Sequence, residues 1–256
     1  MKAKRNQEQT SGYMAQRRQI LSKNTNFAIQ EAYKSLRTNI SFSIRGNKCK
    51  KFCITSGASG EGKSITLLNL AISIAQTGKK VLLIDCDMRR PSLATKLPIQ
   101  KAPGLSDFLA GQSHSDNLIQ HCGLKDNERA FHVVSAGRNP PNPMELLSSA
   151  RMAKMIDRLR QNYDYIILDL PPVNLVSDAL AVSKYITGMI VVIRQEYTEK
   201  KELATCFRQL RLSNVNVLGC VMNETTSDRG YYSKYKYKRY YRYYKHYSTY
   251  ETPEKK

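Results

Sequence analysis

Several things are absent from this sequence, and each absence narrows what it can be. Its six cysteines, Cys49, Cys53, Cys86, Cys122, Cys206 and Cys220, form no Cys-x-x-Cys pair, match no Cys/His metal pattern and follow no secretory leader. A disulfide scaffold and a zinc module are not expected, and a reducing cytoplasm is the expected setting. No apolar stretch approaches the roughly 20 residues of a membrane helix; GMIVVI at 188–193 is among the longest. The chain is therefore not expected to anchor itself, so recruitment to the inner face of a cell membrane would need a partner. Finally, no Asp or Glu occurs between residues 231 and 250.

That last segment reads YYSKYKYKRYYRYYKHYSTY, with ten tyrosines and six Lys or Arg. Tyrosine on both faces, mixed with lysine, leaves no dry side to bury in a sheet. Two uses remain: a basic aromatic arm that stacks bases and neutralises phosphates, or a set of hydroxyls that are themselves substrates. Bulk charge does not decide between them. The formal net charge is +20, but residues 1–24 and 228–256 together hold +11 of it, so basicity is largely a property of the two ends.

Residues 1–25 are polar and basic, and are expected to form a flexible arm. Ile29, Tyr33, Leu36 and Ile40 then repeat at helical spacing. KFCITS (51–56), KVLLIDCD (80–87), FHVVSAG (131–137), YDYIILDL (163–170), GMIVVIR (188–194) and VNVLGCVMN (215–223) are short strand-like runs rich in Val and Ile. Helical patterns lie between most of them, at 64–78, 144–162 and 198–213. Strands apolar on both faces and separated by helices imply one α/β domain over residues 26–225, with a mostly parallel sheet covered by helices on both sides. Residues 226–256 are expected to be a disordered, tyrosine-rich tail.

The chemistry concentrates at the ends of these strands. GASGEGKS, residues 57–64, fits the G-x-x-x-x-G-K-[ST] phosphate-binding pattern, with a strand before it and a helix after it. Small residues let backbone N–H groups turn toward a phosphate, and the helix adds its positive end. Gly57, Ala58, Ser59, Gly60, Glu61, Gly62, Lys63, Ser64 and Ile65 are thus the expected nucleotide-binding run. Lys63 would bridge the outer phosphates of ATP, and Ser64 would offer its hydroxyl to Mg2+. VLLIDCD ends in Asp85 and Asp87, and YDYIILDLPP carries Asp169 at a strand end. In a parallel sheet ligands collect outside the carboxyl ends of the strands, so these carboxylates should face the loop. Ser64, Asp85 and Asp169 form the expected metal set; Lys63, Asp85 and Asp87 form the expected catalytic set. Asp85 is the candidate general base, with a neighbouring Mg2+ expected to hold its pKa low so that it chiefly orients a hydroxyl.

These residues, in this order, resemble the bacterial tyrosine autokinases of capsular and exopolysaccharide synthesis, the BY-kinases. The resemblance runs from EAYKSLRTN (31–39) through GASGEGKS, LLIDCDMRRP (82–91), GLSDFL (104–109), NPPNPMELLSS (139–149), ILDLPPV (167–173), SDAL (177–180) and VLGCVMN (217–223), and resumes in the tyrosine cluster. It implies a P-loop NTPase fold related to the partition and septum-site ATPases, with Lys63 and Ser64 in Walker A, Asp85 and Asp87 in Walker A′, Asp169 in Walker B and Asn223 near the nucleotide base. It also implies transfer of the ATP γ-phosphate to the chain's own cluster: Tyr231, Tyr232, Tyr235, Tyr237, Tyr240, Tyr241, Tyr243, Tyr244, Tyr247 and Tyr250. Relatives with partition function carry a second lysine just after the first glycine of the loop; Ala58 stands there in this chain, a departure that fits the kinases.

Glu31, Lys34 and Arg37, three apart on one helical face, match a subunit contact in a ring homo-oligomer whose members present tails to neighbouring sites. Lys34 replaces the usual arginine and loses its bidentate fork. As the split form of the family, the chain would work with a membrane-embedded activator, a polysaccharide co-polymerase. The family also implies a cognate phosphotyrosine phosphatase and leaves room for other protein substrates, while nucleic acid is not an expected partner. The competing expectations are a nucleic-acid-binding protein and a partition-type ATPase that hydrolyses ATP without modifying protein.

Overall fold

The computed structural model describes residues 20–46, 48–114, 118–123 and 130–225; the ten tail tyrosines and residues 1–19 lie outside the described residues. The strands are β1 (Lys50–Ser56), β2 (Val81–Asp85), β3 (Gln120–Cys122), β4 (Phe131–Val134), β5 (Tyr165–Asp169), β6 (Gly188–Arg194) and β7 (Val217–Asn223). Among the described residues they form one sheet in the order β3-β4-β2-β5-β1-β6-β7. Every pairing is parallel except that of β3 with β4. The mostly parallel α/β architecture expected from the sequence is therefore present. β3 was not expected, because a three-residue strand is too short to show a period.

Alternation along the strands divides the core in two. Cys53, Leu82, Ile84, Ile166, Leu168, Met189 and Val191 enter one apolar cluster, while Phe52, Ile54, Val81, Leu83, Ile167, Ile190 and Val192 enter the other. Both faces are buried, so the strands read as continuous apolar runs. Each fully buried Leu, Ile or Phe stabilises the fold by roughly 1.5–3 kcal/mol before entropy is counted.

The helices complete the layers: α1 (Phe27–Ser43), α2 (Lys63–Ala75), α3 (Leu93–Lys96), α4 (Leu105–Leu109), α5 (Pro143–Ser148), α6 (Ala150–Leu159), α7 (Asp178–Ala181) and α8 (Lys200–Leu212). Asn26 caps α1 by accepting from the Ala28 N–H at 2.8 Å. Of its expected stripe, Ile40 is buried and Tyr33 and Leu36 pack on the core, whereas Ile29 is exposed, so the stripe meets the core only from Tyr33 onward. The single helix expected over 144–162 is two. Ser149 has an extended ψ of 154°, ending α5, and its hydroxyl accepts from Met152 N–H at 3.2 Å to start α6. The apolar period runs through this break, and only the Ser148–Ser149 pair in the sequence marks it.

Candidate active site

β1 ends at Ser56 and α2 begins at Lys63, so the intervening loop lies across the start of that helix. Gly62 adopts a φ of 85°, and a Cβ there would sit 2.0 Å from Asn223 Nδ2. Glycine thus lets Asn223, at the end of β7, donate to the Glu61 carbonyl at 3.1 Å. Asn223 is placed against the backbone of the loop.

Lys63 and the three carboxylates meet beside this loop. Lys63 Nζ stands 3.2 Å from Asp87 Oδ2 and 3.3 Å from Asp169 Oδ1. Ser64 Oγ donates to Asp169 Oδ2 at 2.6 Å. Parallel pairing of β2 with β5 sets Asp85 opposite Asp169, and Asp85, Asp87 and Asp169 are all buried. Burial opposes the Lys63 charge, but Asp169, Asp87 and Asp85 outweigh it and raise its pKa. The lysine stays protonated.

Asp85 is held by backbone donors on both of its oxygens. Its Oδ1 accepts from the Asp87 N–H at 3.2 Å, and its Oδ2 from the N–H groups of Ser92 and Leu93, each at 3.1 Å. Burial, followed by the Asp169 charge, still pushes its pKa up to about 7, against these hydrogen bonds and Lys63. Burial and the second buried carboxylate across the strand pair act in the opposite direction to the lowering expected from a bound Mg2+. Asp87 contacts Lys63 directly, as Asp169 does, and its other oxygen accepts from the Arg90 N–H at 3.0 Å.

The donor set suits a hard cation: a hydroxyl and carboxylates, all oxygen, with Ser64 and Asp169 adjacent. Among the described residues no three His, Cys, Asp or Glu side chains converge to hold a metal alone. That agrees with Mg2+ chemistry, in which one or two protein oxygens are joined by phosphate and water. The buried hydroxyl of Ser92, whose own N–H serves Asp85, has no partner among the described residues, a polar group that a ligand oxygen would satisfy.

Several neighbours escaped the sequence analysis. Lys96 lies within electrostatic reach of Asp169, Lys63 and Asp85; burial lowers its pKa, and its Nζ is 3.4 Å from the Ser92 carbonyl. Arg89 donates twice to buried Asp178, at 2.6 and 3.2 Å, tying the segment after β2 to α7. On the outside of the loop, Arg194 Nη1 donates to the Gly60 carbonyl at 3.1 Å and the Tyr197 hydroxyl to that of Ser59 at 3.0 Å. Glu61, almost fully buried, accepts from the Ala58 N–H at 2.9 Å and from the Thr198 hydroxyl in a short hydrogen bond. A lone carboxylate inside an anion-binding loop was the available signal, since it requires donors of its own.

Glu31, Lys34 and Arg37 do not act alike. Lys34 and Glu31 pair at 2.7 Å on the surface of α1, while Arg37 turns onto α2, donating to the Ser73 carbonyl at 2.5 Å. The tyrosines of the cluster lie outside the described residues.

Residues 49–216 match the AAA domain family. The chain is 38% identical over 206 residues to the tyrosine-protein kinase YwqD of Bacillus subtilis (strain 168), covering 79% of this chain and 85% of that protein. Its fold superimposes on the crystal structure of the chimerical protein CapA2B2 with a TM-score of 0.71 and 34% identity, over 76% of this chain and 84% of that one. The septum site-determining protein MinD of Pyrococcus horikoshii OT3, complexed with Mg-ADP, shares the fold at a TM-score of 0.56 and 21% identity, over 71% and 72% of the two chains.

Proposed function

This chain belongs to the bacterial tyrosine-protein kinases, and on that premise we propose that it transfers the γ-phosphate of ATP, with Mg2+, to tyrosines of its own cluster at 231–250. The observation that carries the reading is the meeting of Lys63, Ser64, Asp87 and Asp169 within hydrogen-bonding reach beside GASGEGKS. N–H groups of residues 57–65, other than that of Ala58, which Glu61 takes, cradle the phosphates, and Asn223 borders the base. Lys63, held by Asp87 and Asp169, neutralises charge on the outer phosphates. Ser64 and Asp169 hold the cation, which when bound supplies further neutralisation of the transferring group. Asp85, fixed by the N–H groups of Asp87, Ser92 and Leu93, orients the tyrosine hydroxyl and takes its proton.

The kinase domain spans 26–225, flanked by the arm at 1–25 and the tail at 226–256. The tail of one copy serves the site of the next in a ring that uses Glu31, Lys34 and Arg37. Each phosphotyrosine adds about −1.5 to −2 charges, so a handful reverse the sign of 231–250 and separate the subunits. An activator supplied by another, membrane-embedded chain brings this protein from the cytoplasm to the inner face of the membrane. A cognate phosphotyrosine phosphatase resets the cycle, and the cycle regulates capsular or exopolysaccharide synthesis and export.

The test is incubation with Mg-ATP and the cytoplasmic segment of the membrane partner, beside Lys63→Met, with phosphate mapped by mass spectrometry. Phosphate on 231–250 that is absent from Lys63→Met is expected. No phosphotyrosine, despite demonstrated binding of ATP and partner, would refute the autokinase and leave an ATPase with a binding arm.

A further inference from the structure

Five tyrosines outside the cluster fall among the described residues, and four of them are engaged inside the fold. Tyr33 accepts from Asn69 at 3.2 Å, Tyr163 bonds His132 at 2.6 Å, Tyr185 donates to the Ser149 carbonyl at 3.2 Å, and Tyr165 is buried. Tyr197 is the exposed one, at 49%. It sits on the turn after β6, where Glu196 takes a left-handed φ of 58°. Its hydroxyl donates to the Ser59 carbonyl of the phosphate loop, and its ring lies 4.9 Å under the Arg194 guanidinium, which itself donates to the Gly60 carbonyl. Two consecutive carbonyls of the loop are thus held from outside by a stacked Tyr–Arg pair. Fixing them fixes which way the intervening peptide faces, and a phosphate-binding loop works by the direction of its peptides.

We propose that Tyr197 is itself a phosphoacceptor, modified by a second copy of the chain, and that its phosphorylation weakens nucleotide binding by releasing the loop. The proposal rests on the tyrosine-kinase reading above. In the transfer, the Tyr197 oxygen of one copy bonds to the γ-phosphorus of ATP held by another. The bond from that phosphorus to its bridging oxygen breaks with its electron pair leaving on ADP, and the hydroxyl proton passes to a carboxylate of the donating site. One hydrogen bond holds the hydroxyl, and the ring is already half exposed, so presentation needs only local movement. The product cannot keep the old arrangement. The ester oxygen of an aryl phosphate has no proton to give Ser59, and the group's charge of about −1.5 to −2 draws the Arg194 guanidinium away from the Gly60 carbonyl into charge-assisted hydrogen bonds. Both outer tethers are lost together.

The test mixes the full-length wild-type chain with an isotope-labelled Lys63→Met chain, Mg-ATP and the cytoplasmic segment of the membrane partner, and maps phosphate on the labelled copy. In parallel, affinity for a fluorescent ADP is measured for wild type, Tyr197→Phe, Tyr197→Glu and the chain enriched in Tyr197 phosphate. The expected result is Tyr197 phosphate on the labelled copy, with nucleotide affinity reduced about tenfold by the phosphate, at least fivefold by Tyr197→Glu and no more than about threefold by Tyr197→Phe. Phosphate on 231–250 of the labelled copy without any on Tyr197 overturns this proposal and leaves the autokinase standing. Phosphate on neither removes both. Phosphate on Tyr197 with unchanged ADP affinity overturns the regulatory step.

Discussion

At the carboxyl ends of β1, β2 and β5, Lys63 lies 3.2 and 3.3 Å from Asp87 and Asp169, and both carboxylates are almost wholly buried. At the amino ends of β2 and β5, Lys79 and Asp164 pair at 3.7 Å with side chains 54% and 37% exposed. The residue types are the same; the dielectric around them is not. Water and salt screen the exposed pair, which is worth about 0–1 kcal/mol. The buried group gathers three carboxylates around one lysine, and desolvation of such ions offsets most of their attraction. Stability does not account for that arrangement, whereas a cation and a polyphosphate brought into it would complete its charge.

Lys63→Met should have the largest effect. It removes the cation from the buried end and leaves Asp87 and Asp169 facing each other. The rate of tyrosine phosphorylation should fall by roughly 10³-fold or more, as expected when a preorganised charge on the transferring group is lost. Removing one member of a buried pair should also cost about 3 kcal/mol in denaturant unfolding of the nucleotide-free chain. A rate within tenfold of wild type would show that the buried charge is not catalytic.

Asp85→Asn should have the next largest effect, lowering the phosphorylation rate about 10²-fold while changing ADP affinity less than about threefold, because a base acts on the hydroxyl and not on the bound nucleotide. Its pH dependence has a definite sign. The folded-state pKa of Asp85 is raised, so the fold favours its protonated form. That contribution is complete below the ordinary carboxylate range and is lost as pH rises through about 7. The melting temperature of nucleotide-free wild type, relative to Asp85→Asn, should therefore decline between about pH 5 and about pH 8. A rising difference would reverse the assigned cause.

Much of this was legible beforehand, and for identifiable reasons. Strands buried on both faces announce themselves as apolar runs, and glycine spacing before Lys63 and Ser64 marks the loop without any knowledge of packing. What stayed hidden depends on proximity across the chain. Asp85 and Asp169 were expected at one site, but only the register of β2 with β5 sets them directly opposite, where Asp169 helps raise the Asp85 pKa. Ser149 interrupts a helix whose apolar period continues through it. Arg194, Tyr197 and Thr198 reach the loop only because β6 lies beside β1. Arg37, legible as a surface charge three residues from Lys34, turns inward because Ser73 of α2 offers it a carbonyl.

Lys96, at the functional end, donates to the Ser92 carbonyl while lying in the field of Asp169, Lys63 and Asp85. A partly desolvated cation there can neutralise charge that develops on a transferring phosphate. Lys96→Met should reduce the phosphorylation rate about tenfold, with Lys96→Arg recovering part of it. Equal rates for Lys96→Met and wild type in steady-state assays would mark it as a packing residue.

The smallest effect belongs to the other end of the sheet. Asp164→Ala removes the exposed pair with Lys79 and the hydrogen bond from the Lys80 N–H, made at 2.8 Å. The ion pair contributes little, and the hydrogen bond about 1 kcal/mol, so unfolding free energy should fall by roughly that amount and by less in high salt. The phosphorylation rate should stay within about twofold of wild type, because the substitution lies at the end of β2 and β5 opposite Asp85 and Asp169. If Asp164→Ala instead lowered the rate as Asp85→Asn does, the two ends would be coupled through the strands, and the contrast between buried and exposed charge would no longer separate function from stability.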